Sequence, residues 1–183
     1  METPEYVTVS LNEEFVENTA FDATVLRDGD IRDYDFILDG TDNFPAKFLI
    51  NDACVMAAKP FSHAGIIRFK GQLMTYVPGQ GPCYRCVFKN PPPKDAVPTC
   101  KHAGVIGAMG GVIGSMQAME AIKYITGAGE LLTGSLLTYD ALKMEFHKIK
   151  LPKPNGKCPV CGDAPTITHL IDYEQAACDG VLQ

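Results

Sequence analysis

Two cysteine pairs, Cys83-x-x-Cys86 and Cys158-x-x-Cys161, carry the most specific chemistry in this chain. A two-residue spacer lets one turn present two sulfurs to one ion, and zinc favours four thiolates in a closed tetrahedron. Turn-forming residues flank both pairs: Gly81-Pro82 precedes the first, and Pro159 and Gly162 surround the second. From Cys86 to Cys158 is 72 positions, a longer gap than a typical zinc ribbon has, so a shared ion would staple two distant segments. Four thiolates leave no open coordination position, so the expected Zn2+ is structural rather than catalytic. The plainer readings are four unrelated cysteines or a redox pair.

Asp42 is the second candidate. It follows a short apolar run and precedes a predicted helix, the place where α/β folds bind ligands. Helix N–H groups there favour phosphates, and a carboxylate beside them can hold Mg2+. The same position equally suits an ordinary helix cap, with Asp42 or Asn43 accepting from backbone donors. Cys100 is the third candidate. It lies after a proline-rich loop and shortly before a glycine-rich helix start, where a thiol can have a lowered pKa. Lys101 and His102 put a cation and a base beside it. A lone cysteine is also an ordinary small apolar group. Cys54 and Cys178 read as such, and His63 has no assigned role.

These residues sit in a chain of 183 residues, ordinarily one domain, with 46% apolar residues and a net charge of −6. The acidic balance argues against general nucleic-acid binding. No apolar run is long enough to span a bilayer. The start, Met1-Glu-Thr-Pro-Glu5, has no basic-then-apolar layout, which makes the cytosol the default. In a reducing cytosol, C-x-x-C pairs are better metal ligands than disulfides.

The elements that must position the candidates follow from patterning. The first thirty residues are weakly patterned, with a strand expected around 6–11 and a short helix near 13–21. Tyr34 to Asp39 reads as a buried strand. Gly40-Thr-Asp-Asn43 turns the chain into a helix with Pro45 in its first turn, running to about Ala58. Gly65–Phe69 and Gln72–Val77 read as a hairpin turning at Lys70-Gly71. Asn90-Pro-Pro-Pro93 marks a loop. A helix runs from about Gly104 to Thr126, with Val105, Met109, Val112, Ile113, Met116, Met119, Ile122 and Ile125 near a helical period and Gly127 as C-cap. Its glycines, from Gly104 to Gly114, do not match a phosphate loop after a strand and suggest close helix packing. Leu136–Tyr139 and Met144–Leu151 form a second antiparallel pair.

In combination, Leu38-Asp-Gly-Thr-Asp-Asn-Phe44, Gly81-Pro-Cys-Tyr-Arg-Cys86, Pro98-Thr-Cys-Lys-His-Ala-Gly-Val105, Gly111 to Lys123, Cys158-Pro-Val-Cys-Gly-Asp163 and Pro165-Thr-Ile-Thr168 resemble the MoeB/ThiF/HesA family. These are bacterial relatives of ubiquitin-activating enzymes, and the match runs over residues 34–175. The resemblance implies an α/β fold: the later half of a Rossmann-like adenylation domain, with an antiparallel strand extension and a zinc knuckle built from four cysteines. Residues 1–183 would form a single partial domain. It further implies adenylation, with Mg-ATP, of the terminal glycine of a ubiquitin-like sulfur-carrier protein (ThiS/MoaD-like), in thiamine or molybdopterin synthesis. Asp42 and Asn43 would belong to the nucleotide site, with Asp42 near Mg2+. Cys100 would carry thioester or persulfide chemistry, and Cys83, Cys86, Cys158 and Cys161 would bind zinc. Family members are typically homodimers. The chain departs from the pattern in having no G-x-G-x-x-G, and about thirty residues before Tyr34 are too few for a β-α-β-α-β start. The expectation is impaired adenylation by this polypeptide alone, with a homodimer or complementing chain covering its open core. The rival expectations are a non-catalytic carrier-binding or assembly subunit, and Cys100-based sulfur transfer without adenylation.

Overall fold

The computed structural model describes residues 31–90 and 104–170. The strand and helix expected before residue 31, the loop from 91 to 93, and Cys100, Lys101, His102 and Cys178 lie outside the described residues.

The Tyr34–Asp39 apolar run yields a short strand, β1 (Ile37–Asp39), with Ile37 and Asp39 both buried. The chain then turns through Gly40–Asp42 into helix α1 (Phe44–Met56). Asn43, not Asp42, is the N-cap: its Oδ1 accepts from Ala46 N at 2.8 Å, and Pro45 occupies the first turn as its fixed φ and missing N–H allow. After α1, β2 (Phe61–Ile67) returns parallel to β1 in the register Ile37↔Phe61 and Asp39↔His63. A β-α-β unit therefore carries the candidate turn at the C-terminal end of its first strand.

From β2 onward the sheet is antiparallel. β3 (Lys70–Tyr76), β4 (Ser135–Asp140) and β5 (Glu145–Lys150) complete the order β1-β2-β3-β4-β5. The β2–β3 hairpin turns at Arg68-Phe69, not at the predicted Lys70-Gly71, and Arg68 has φ 52°. Gly71 instead lies within β3, where an added Cβ would come within 2.5 Å of the Ile113 side chain. The glycine permits a close strand–helix approach there. The β4–β5 pair agrees with expectation.

Among the described residues, two helices lie between β3 and β4. Helix α2 (Tyr84–Val87) is a single turn starting at Cys83. Helix α3 (Gly107–Thr126) ends on Gly127, whose φ of 67° is the left-handed conformation that glycine adopts without penalty.

Side-chain alternation divides the apolar interior between the two sheet faces. Phe61 of β2 and Met74 and Tyr76 of β3 pack with Ile37, Phe48 of α1 and Tyr84. Ala64 and Leu73, on the opposite parity, pack with Met109 and Ile113 of α3 and Tyr139 of β4. The sheet thus lies between α1 and α3. Of the apolar stripe expected on α3, only Met109 and Ile113 are buried, while Val105, Val112, Met119 (53%) and Ile122 (44%) are exposed. Gln117 and Glu120 are buried in their place. The expected close packing of the α3 glycines is also absent among the described residues, because a Cβ on Gly107, Gly110, Gly111 or Gly114 would meet nothing within 4 Å.

Candidate functional site

The structure brings together the four cysteines that the sequence places 72 positions apart. The sulfurs of Cys83, Cys86, Cys158 and Cys161 all lie within 4.8 Å of one another. Individual Sγ–Sγ separations are 3.8 Å for Cys83–Cys86, 3.7 Å for Cys83–Cys158 and 3.4 Å for Cys86–Cys161. With Zn–S bonds near 2.3 Å, the edge of a tetrahedron of four sulfurs around zinc is about 3.8 Å. The donor set and its spacing therefore fit a four-thiolate metal.

The turns around these sulfurs are closed by backbone bonds. Cys86 N donates to Cys83 O, Cys158 N to Asn155 O, and Gly162 N to Cys158 O at 3.0 Å. A Cβ on Gly162 would sit 2.5 Å from Cys158 O and 2.6 Å from Gly156 O, so this turn requires glycine. Asn155 N points at Cys86 Sγ at 3.5 Å. The Cys86 thiol is pushed down to about 5, first by the hydrogen bond it accepts from Cys83 and then by Asn155, against the opposing effect of burial. Cys83, the donor of that bond, is held well above the usual thiol range.

The spacer residues of the first pair anchor the cluster to α1. Tyr84 N donates to Asn51 Oδ1 at 2.8 Å. Arg85 makes a two-pronged pair with Asp52, Nε to Oδ1 at 2.7 Å and Nη2 to Oδ2 at 2.8 Å, with its guanidinium 4.7 Å from the centroid of the Phe48 ring. The pair is buried, and the planar fork matches the carboxylate with two parallel bonds.

The opposite end of α1 begins at the candidate nucleotide turn. Asp42 is exposed, whereas Asp39, three residues earlier, is only 1% exposed. Asp39 Oδ1 accepts from Thr41 N at 2.9 Å and Thr41 Oγ1 at 2.6 Å, and this shapes the turn that presents Asp42 and Asn43. Asp39 Oδ2 receives Lys47 Nζ at 3.1 Å and His63 Nδ1 at 2.7 Å. Lys47 also donates to Ala64 O, and Gln117 Nε2 reaches from α3 to Asp39 O and Ser62 O. Burial alone would raise the Asp39 pKa, but the Lys47 charge and the bonds from His63 and Thr41 hold the carboxyl far below its usual range. His63 is lowered from 6.5, first by burial and then by Lys47, against the pull of Asp39. Its ring is therefore neutral at pH 7, with Nδ1–H donating to Asp39.

A pH dependence follows. His63 is neutral in the folded chain and takes up a proton on unfolding once the pH is below 6.5. Its contribution to stability is complete above that value and declines as the pH falls towards the folded pKa. Asp39 adds a second loss at lower pH, below 3.8 and through its depressed folded value. Urea unfolding free energies should therefore fall between pH 7 and pH 5, with His63 contributing a slope approaching about 1.4 kcal/mol per pH unit. The lowered Cys86 thiol adds its own loss down to about pH 5. In His63→Gln the decline over that window should be shallower by the His63 share. An equally steep decline in His63→Gln would refute the assignment.

Sequence reasoning missed Asp39, Lys47, His63, Asp52 and Arg85 as a buried polar framework. It also missed Gln117 and Glu120. Glu120 Oε2 accepts from Thr75 Oγ1 at 2.7 Å and Leu132 N at 2.8 Å, and its other oxygen pairs with Lys123. One signal was available: Met109, Ile113, Gln117 and Glu120 follow a single helical stripe. Cys54 is buried, as an ordinary thiol should be, and burial pushes its pKa far up.

Comparison with known proteins agrees with this architecture. The chain matches the profile described as the ThiF family over residues 4–160. It is 47% identical over 149 residues to a sulfur carrier protein adenylyltransferase of Thermus thermophilus, covering 79% of this chain and 55% of that protein. Against the adenylyltransferase and sulfurtransferase MOCS3 of Sus scrofa, identity is 46% over 144 residues, covering 79% of this chain and 32% of the relative. The chain thus spans about a third to about half of these relatives' lengths. Among solved structures, the microcin C7 biosynthetic enzyme MccB with N-formylated MccA superposes with a TM-score of 0.62 at 21% identity, over 79% of this chain and 45% of MccB. E. coli MccB with ATP gives 0.61 at 19% identity, over 79% of this chain and 44% of MccB. At such identities the likeness establishes the fold.

Proposed function

The chain belongs to the ThiF family, and on that premise we propose that it is part of an ATP-dependent adenylyltransferase acting on the C-terminal glycine of a ubiquitin-like sulfur-carrier protein. The observation that carries this reading is the shared scaffold: a β-strand–turn–helix unit whose helix α1 begins at Asp42-Asn43 and is bonded at Asn51 and Asp52 to the four-cysteine turn. Asp42 and Asn43 would contribute to the Mg-ATP site, Asp42 beside the cation. Cys83, Cys86, Cys158 and Cys161 would hold Zn2+, which supplies a cross-link with no open position for catalysis. Cys100 would take part in sulfur chemistry on the activated carboxylate. The whole of residues 1–183 would act as one partial domain in the cytoplasm, in thiamine or molybdopterin synthesis. Among the described residues, no helix is long and apolar enough to cross a membrane. The exposed Met119 and Ile122 and the open glycine face of α3 support a homodimer or a complementing chain over that surface.

The sequence has no G-x-G-x-x-G, so the chain alone should adenylate poorly. Carrier-dependent ATP–pyrophosphate exchange by the purified chain should be at least about tenfold slower than that of a full-length relative, a barrier difference of about 1.4 kcal/mol or more. Comparable rates would overturn that expectation.

A further inference from the structure

A groove of about 440 Å³ runs between the end of the β4–β5 hairpin and the Gln80–Pro82 loop that leads into Cys83. Lys148, Lys150 and Lys153 line it, together with Gly81, Pro82 and Gly134. All three lysines are exposed, and among the described residues none of them forms an ion pair. This concentration of unpaired positive charge is unusual in a chain whose net charge is −6.

The spacing is informative. Lys148 and Lys150 alternate on β5, opposite Leu137 and Ser135 of β4, so both belong to the same face of the sheet. Alternate residues of a strand stand about 6.8 Å apart, the same repeat that any extended peptide presents along one side. Lys153, beyond the end of β5, also lines the groove. An array of this kind differs from a phosphate cup, in which donors converge on one point. The groove is also bordered by β5, the last strand of the sheet, whose outer side is covered by no other described strand.

We propose that this groove binds an extended acidic polypeptide segment of a partner, with carboxylates at alternate positions meeting Lys148 and Lys150 and a further one meeting Lys153. The proposal concerns a different surface from the Asp42 turn and does not depend on adenylation. Because exposed lysine pairs are screened by salt, binding should be strongly salt-dependent.

The test uses the full chain and a fluorescent peptide with glutamates at every second position among alanines. Anisotropy should show saturable binding that weakens as salt is raised. Lys148→Glu/Lys150→Glu/Lys153→Glu should weaken it at least tenfold, and Lys143→Glu, at the far end of the hairpin, less than twofold. Should the triple variant not fold, Lys148→Gln/Lys150→Gln should still weaken binding severalfold. Unchanged affinity in the charge variants, or no peptide binding, would overturn the proposal. So would displacement of the peptide by equimolar inorganic phosphate, which would indicate a small-anion site. Carbodiimide coupling followed by mass spectrometry identifies the occupant. Bonds from Lys148, Lys150 or Lys153 to the peptide support the proposal, whereas bonds formed instead to this chain's own carboxylates or to a second copy refute it.

Discussion

Removing the proposed zinc from the four-cysteine cluster is expected to lower the melting temperature by at least about 10 °C. Residues 151–170 contain no helix or strand and depend on few fastenings. Leu151 N bonds to Gly134 O, and Val160 and Cys158 are buried. Cys83 and Cys158 also belong to the apolar interior with Phe61, Tyr76 and Tyr84, so the cluster forms part of the core on the α1 side. Without a cation, four thiol groups in van der Waals contact cannot all ionise, and the turns they join lose their common bond. Structural zinc sites contribute on the order of 10 kcal/mol to folding in small domains. Even a loss of several kcal/mol would displace the midpoint by the stated amount, since about 1 kcal/mol moves a chain of this size by about 2–4 °C. Purified reduced protein should contain one zinc per chain, and Cys158→Ala should reproduce the effect of a chelator. Absence of zinc, or an identical melt after chelation, would remove the metal from the account.

How much of this was legible in the sequence depends on how local each signal is. The two C-x-x-C turns, the Asn43-Pro45 helix start and the Gly127 end each lie within a few residues of chain, and each appears where its residue types direct. The two antiparallel hairpins, β2–β3 and β4–β5, were legible for the same reason, whereas the β3–β4 pairing that joins them is long-range and was not. The hairpin turn was misplaced because Lys70-Gly71 looks like a turn, whereas Gly71 serves the approach of Ile113 and Arg68 accepts the positive φ. The burial of α3 was misjudged because apolar periodicity cannot show which polar residues find partners. Gln117 reaches Asp39 O and Ser62 O, and Glu120 reaches Thr75 and Leu132, all contacts made across the fold. Met119 and Ile122 remain apolar on a surface that the described residues leave open. The Asp39, Lys47 and His63 group was hidden for a related reason: its members are 8 to 24 residues apart, and only the parallel pairing of β1 with β2 brings them together.

That group should be the most sensitive polar site in the fold. Asp39→Asn keeps the size and one carbonyl oxygen, so Thr41 can still donate to it. The new amide, however, turns its own donors towards Lys47 Nζ and His63 Nδ1–H, where the wild-type Oδ2 accepted both. Lys47 is 7% exposed and pairs with no second carboxylate among the described residues, so its ammonium would be left with Ala64 O alone. Breaking a buried pair in this way costs about 3–5 kcal/mol, far more than the pair itself contributes against an apolar replacement. The double substitution Asp39→Asn/Lys47→Met removes the stranded charge and should recover about 2 kcal/mol or more of the loss. Urea unfolding of the wild type, both single variants and the double variant gives the coupling directly. Additive losses, or a cost below about 1 kcal/mol for Asp39→Asn, would show that the network does not restrain the fold. A large coupling would mean that the turn carrying Asp42 and Asn43 is held from behind by a buried charge, because the same carboxylate that receives Lys47 also receives Thr41 N and Oγ1. The rigidity of the Asp42-Asn43 turn and the stability of the β1–α1–β2 unit would then share one cause.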